Sequence, residues 1–156
     1  MKFLNVFLVL ALLTGCASTQ KVQMTPMEIQ SLQTRDFEST KKITFASVVS
    51  VLQDLGYSVN NADLETGIIN AESTAQSDAA MKFWLGQSHV TQTKVTAFVE
   101  EIGKTTKVRL NFVSTKQVSY SYGQTDRDDT PLLDAKIYQN AFEKIENAVF
   151  VRSSSN

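Results

Sequence analysis

The chain has one histidine, His89, and one cysteine, Cys16, and this scarcity limits the chemistry it can carry. A zinc site takes several His, Cys or carboxylate ligands, and His89 has no acidic neighbour close in sequence. A Ser-His-Asp triad would have to use His89, and no Gly-x-Ser-x-Gly elbow is present. Gly103-Lys104-Thr105 matches the end of a phosphate-binding loop but lacks the earlier glycine. It also joins two predicted strands, whereas a phosphate loop opens a helix, so it reads as a hairpin turn. Asp126, Asp128 and Asp129 form a small acidic group. They lack the sixth-position glycine and closing glutamate of a calcium loop. Ahead of a predicted helix they read as solvated residues that complement its dipole. Glu100 and Glu101 are consecutive on a predicted strand and so point to opposite faces. No cofactor motif, metal site or catalytic set emerges, and the expectation is a protein that is not an enzyme.

Two apolar features are more informative. Met81 to Leu85 places Phe83, Trp84 and Leu85 inside the polar stretch from Thr74 to Gln92. Such residues can bury on a partner or in a membrane interface, or they can fold back over the domain's own core. Phe98, Val113, Val118, Tyr120 and Tyr122 are the second feature. If Val95 and Val108 face the core, Phe98 and Val113 lie on the other sheet face, where they could meet a partner or a small apolar ligand.

The first 15 residues have the marks of an export signal. Lys2 gives positive charge near the start, and Phe3 to Leu13 is apolar except for Asn5. A membrane-spanning helix needs about 20 apolar residues, so this run is too short to be one. It ends in Leu13-Thr14-Gly15-Cys16, which resembles the bacterial lipobox. The resemblance implies a diacylglyceryl group on the Cys16 thiol, cleavage before Cys16, and acylation of the new amino terminus. Each buried methylene contributes roughly 0.8 kcal/mol, and two or more chains anchor a protein stably. Ala17 stands where an Asp would signal inner-membrane retention in enteric-type bacteria. The implied location is the outer membrane, facing the periplasm.

Without the signal the chain has about 140 residues, enough for one domain. Removing Lys2 leaves 14 basic against 16 acidic side chains, a net charge of −2. There is no basic excess for nucleic acid. Acylation consumes the one cysteine, so no disulfide is expected. Residues 16–33 read as the lipidated cysteine and a flexible tether, with one short helical turn from Pro26 to Leu32. Fully extended, the tether reaches roughly 55 Å.

The domain itself is expected over residues 34–150. Thr34 to Ser39 is a short strand. Phe45, Val48, Val49 and Leu52 recur at helical spacing, with Thr44 as cap and Gly56 as stop. Tyr57 to Asn60 and Gly67 to Ser73 form a hairpin, and Thr74 to Gln92 reads as a long loop carrying a short helix. Two long strands follow, around Val95–Val99 and Val108–Phe112, the second running on towards Tyr120. Ser121 to Pro131 reads as a polar loop. Thr130 and Pro131 would start a last helix from Leu132 to Val149, whose stripe is Tyr138, Ala141, Phe142, Ile145 and Val149. Residues 151–156 read as a disordered tail.

This order predicts an α+β fold: an antiparallel sheet of four to five strands with two helices on one face. It resembles the helix-grip domains of BamC, a lipoprotein of the β-barrel assembly machinery. The resemblance lies in element order and carries over no functional residue. The whole chain also resembles small outer-membrane lipoproteins of Gram-negative bacteria. The expected role is non-enzymatic contact, as a structural or envelope-assembly accessory with an envelope protein partner. The alternative is a binding module that holds a lipid or other small apolar ligand between sheet and helix.

Overall fold

The computed structural model describes residues 24–77 and 87–154. Cys16 and the Phe83, Trp84, Leu85 group lie outside the described residues. In chain order the elements are α1 (Pro26–Gln33), β1 (Thr34–Phe37), α2 (Lys41–Asp54), β2 (Tyr57–Asp63), β3 (Ile68–Ser73) and β4 (Gln76–Ser77). They continue with β5 (Gln87–Ile102), β6 (Thr105–Tyr120), β7 (Thr125–Pro131) and α3 (Ala135–Ser154). All strand pairs are antiparallel and form one 7-stranded sheet in the order β1-β6-β5-β3-β2, with β4 on β5 and β7 on β6. The α+β class and the antiparallel sheet follow the sequence pattern. The sheet is larger than four to five strands, and the described residues contain three helices rather than two.

The core lies between one sheet face and helices α2 and α3. From the sheet, Val95, Ala97, Val99, Val108, Leu110 and Phe112 are buried, following the period of two. The predicted stripe of α3 is buried in full, from Tyr138 to Val149. Helix α2 differs in detail: Val51 is buried and Val49 only partly so. Its cap is Thr40, whose Oγ1 accepts the Ile43 amide, and Thr44 sits buried inside the helix. Gly56, at φ 86°, follows the last turn and donates to the Gln53 carbonyl. Two aromatic contacts tie the sheet to the last helix, and a third lies within the sheet. Phe112 meets Tyr138 edge-on at 5.1 Å and Tyr57 at 6.1 Å, and Phe37 meets Phe142 at 6.5 Å.

Four expectations are refined or corrected. The first is the short helical turn expected from Pro26 to Leu32 at the end of the tether, which forms as the eight-residue helix α1. Thr25 Oγ1 accepts the Glu28 amide and Glu28 Oε2 accepts the Thr25 amide at 2.6 Å, a complete capping box with Pro26 in the first turn.

The second concerns the long loop. Part of it is ladder: β4 pairs with β5, which begins at Gln87, so His89 stands in a strand opposite Val118.

The third concerns the polar loop before the last helix, most of which is β7. All seven of its residues are exposed, so it carries no apolar alternation to betray a strand. Main-chain pairing with β6 holds it, and Pro131 ends it on an edge, where a missing donor costs little. The helix starts later, at Ala135, and Asp134 caps it by accepting the Lys136 amide at 2.9 Å.

The fourth concerns the tail, which is helical through Ser154. Arg152 donates to Ser47 Oγ at 3.5 Å and Ser153 shares a hydroxyl bond with Ser39 at 3.4 Å.

Strands β5 and β6 each run 16 residues, but the core ends at Val95 and Phe112. Beyond it, with β4 and β7, they form a four-stranded arm. From Gln87↔Tyr120 to Thr93↔Ser114 the arm extends by about 20 Å at the rise of a strand. None of its described side chains joins the hydrophobic core.

Candidate functional site

The helices cover one sheet face, and the other carries Phe98 and Val113, as the alternation predicts. Phe98 is 39 % exposed and lies between Ile68 and Arg109 in the cross-strand register. The next row toward the arm is polar: Asn70, Thr96 and Asn111, with Thr96 Oγ1 donating to Asn70 Oδ1 at 3.2 Å. Of the other aromatic candidates, Tyr120 and Tyr122 are exposed, and Val118 belongs to the arm on the opposite face from Val113.

A gap in the sheet edge organises this region. Strand β1 pairs with β6 only as far as Arg109, and β7 begins at Val113. Phe112 therefore has no strand partner on that edge, and its polar groups need other partners. Its amide donates to the Tyr138 hydroxyl at 3.4 Å, and its carbonyl accepts from the Leu132 amide at 2.9 Å. Gln33, at the end of α1, fills the same gap and is 5 % exposed. Its Nε2 donates to Asn111 Oδ1 at 3.3 Å and to the Tyr138 hydroxyl at 3.5 Å. Its Oε1 accepts from Arg109 Nη2 at 3.4 Å.

The result is an open groove of about 470 Å³ between α1 and the outer sheet face. Ile29, Phe98, Pro131 and Leu133 make its apolar wall, and Gln33, Thr96, Asn111 and Arg109 its polar side. Composition and size fall within the range for small-molecule sites. Phe98 was legible as a candidate. Gln33 and Arg109 were not, because they lie 76 residues apart and neither belongs to a motif. A second depression, of about 480 Å³, lies on the arm beside Gln76, Val90, Lys116 and Val118.

The structure separates the three aspartates. Asp129 accepts from Arg127 Nη2 at 2.8 Å and from Thr115 Oγ1 at 2.6 Å. The Arg127 hydrogen bond, then that of Thr115, holds its carboxyl below the usual carboxylate range. Asp128 sits opposite Lys116 in register, and with Asp126 it occupies the other face of β7. They guard an exposed strand edge rather than a helix terminus. Among the described residues no group of three or more His, Cys, Asp or Glu is placed to hold a metal ion. Glu100 and Glu101 point to opposite faces, opposite Lys107 and Thr106 respectively. Gly103 and Lys104 form the two-residue turn between β5 and β6.

No helix among the described residues is long and apolar enough to cross a membrane. The chain matches no protein-family model and no curated protein.

Proposed function

We propose that this chain is an outer-membrane lipoprotein, anchored through lipid on Cys16 and facing the periplasm, that works by contact as a structural or assembly accessory. The lipobox motif supports the anchor. The arm is the observation that carries the contact reading. Ordering a residue costs roughly 1–2 kcal/mol of backbone entropy, and the arm offsets this with main-chain pairing while adding nothing to the core. A polar sheet projecting from a compact domain suits a surface that meets another envelope protein. Two helices on one face of an antiparallel sheet also support the helix-grip likeness.

Photo-crosslinking in cells tests this reading. A crosslinker at Thr91 or Gln117 should give discrete protein adducts, and one at Lys144 on α3 should not. Cys16→Ala should leave an uncleaved or mislocalised precursor and remove the adducts. Adducts that persist unchanged in Cys16→Ala, or arise equally from all three sites, count against it.

The groove beside α1 favours a second reading, a module that binds a lipid or other small apolar ligand between sheet and helix. Native mass spectrometry of the chain as isolated should then reveal a retained small molecule, and contact alone predicts none.

A further inference from the structure

The distribution of charge over the sheet singles out one residue. Six Lys or Arg side chains stand on described strand positions from β1 to β7; two of them bridge an acid, and three stand opposite one in the cross-strand register. Arg35 bridges Glu146, and Arg127 bridges Asp129. Lys94 lies opposite Glu72, and Lys116 lies opposite Asp128. Lys107 lies between Asp36 and Glu100. Arg109 alone has neutral neighbours on both sides, Thr34 and Phe98. No acid lies within salt-bridge distance of it among the described residues, and its one hydrogen bond is to a neutral amide, Gln33 Oε1.

This cation stands at the groove, whose other wall is apolar. We infer that the groove binds a single-chain fatty acid, with its carboxylate on Arg109 and its tail along Ile29, Phe98 and Leu133. The inference rests on the ligand-binding reading above and names the class of ligand. A guanidinium offers a planar fork that matches a carboxylate. Gln33, nine-tenths buried, holds one arm of that fork at the polar end of the groove. A peptide strand is a poorer occupant, because the adjoining main-chain groups of Phe112 are already taken by Tyr138 and Leu132.

The test uses the full chain, purified in non-ionic detergent and analysed by native mass spectrometry after incubation with dodecanoate or, separately, uncharged dodecanol. A 1:1 dodecanoate adduct should form, with dodecanol bound at least tenfold more weakly. Arg109→Gln should weaken dodecanoate binding about tenfold or more, the scale of one charge-assisted hydrogen bond. Lys107→Gln, which removes a cation with acidic cross-strand neighbours from the same face, should leave it unchanged. Phe98→Ser should weaken both ligands, and thermal melts of each variant separate lost binding from lost folding. Equal binding of dodecanol and dodecanoate, both lost in Phe98→Ser, overturns the fatty-acid assignment and leaves the ligand-binding reading standing. Binding of neither ligand overturns both, and dodecanoate binding unaffected by Arg109→Gln overturns the role of Arg109.

Discussion

Gly67 is the position where one added methyl should do most harm. It lies at φ 77°, in the left-handed region, where it ends the turn between β2 and β3. A Cβ there would run into the Val99 carbonyl oxygen, a main-chain atom of the central strand β5 that cannot step aside. The Gly67 carbonyl also accepts the Val99 amide at 2.8 Å, which extends the ladder one place past Ile68. Gly67→Ala therefore combines two costs. A left-handed non-glycine residue costs roughly 1–2 kcal/mol, and displacing the turn leaves a buried amide unpaired at about 1–3 kcal/mol. The expected total is about 2–5 kcal/mol, out of roughly 5–15 kcal/mol for a typical domain. Gly56→Ala is the matched control. Gly56 has φ 86° but nothing within 4 Å of the added atom, so only the conformational cost applies. Urea unfolding followed by far-UV circular dichroism reads both. With a slope of roughly 1–3 kcal/mol per molar urea, a 3 kcal/mol loss lowers the midpoint by about 1–3 M. A midpoint for Gly67→Ala no lower than that for Gly56→Ala would falsify the close approach between the β2–β3 turn and β5.

Three further outcomes are expected. Phe142→Ala removes a ring packed on Phe37 and under the Arg35 guanidinium, and should cost about 3–5 kcal/mol in the same unfolding assay; an unchanged midpoint would place that ring outside the core. The stabilisation that Asp129 draws from Arg127 and Thr115 should be fully present above the unfolded carboxyl value of about 3.9 and lost as pH falls through the lower folded value. A carbon-13 titration should find the Asp129 midpoint below that value, and Asp129→Asn should flatten stability against pH in the acid range; an Asp129 midpoint at or above it would rule out the bridge. Trp84 is the one tryptophan, so its fluorescence reports on its segment alone. The contact reading expects long-wavelength, iodide-quenched emission that shifts to the blue with liposomes or outer-membrane extract; protected blue emission from the chain alone, with lower stability in Trp84→Ala, would assign it to the core.

Elements that bury an apolar face were legible in the sequence. Tyr138, Ala141, Phe142, Ile145 and Val149 fall at helical spacing because they line one core. The alternation through Val95, Ala97 and Val99 separates the two sheet faces in the sequence itself. Elements held by other forces were hidden. Strand β7 exists through main-chain bonds, the Arg127–Asp129 bridge and its neighbour Thr115, none of which leaves a hydrophobic period. Pro131 then misled, because the residue that suits a first helical turn also suits the end of an edge strand. Helix α1 did carry a local signal in Thr25-Pro26-Met27-Glu28, but eight residues with little apolar periodicity made it weak. The groove was illegible for a different reason. It is assembled by a gap between β1 and β7, and a gap in a ladder has no signature in one strand's sequence.

Helix α1 also bears on how load would pass into the domain. The segment that precedes it enters at Thr25, and the chain then runs through α1 directly into β1. Tension from that side would first unravel a capped helix of eight residues, 12 Å long, which lengthens to about 26 Å when drawn out. The last of those residues, Gln33, would give up its contact with Asn111, and only then would the load reach the four-residue pairing of β1 with β6. The two core helices and the β5–β6 ladder would lie beyond these weaker links. The helix would thus act as a mechanical fuse, yielding length at low force before the core of the sheet is strained.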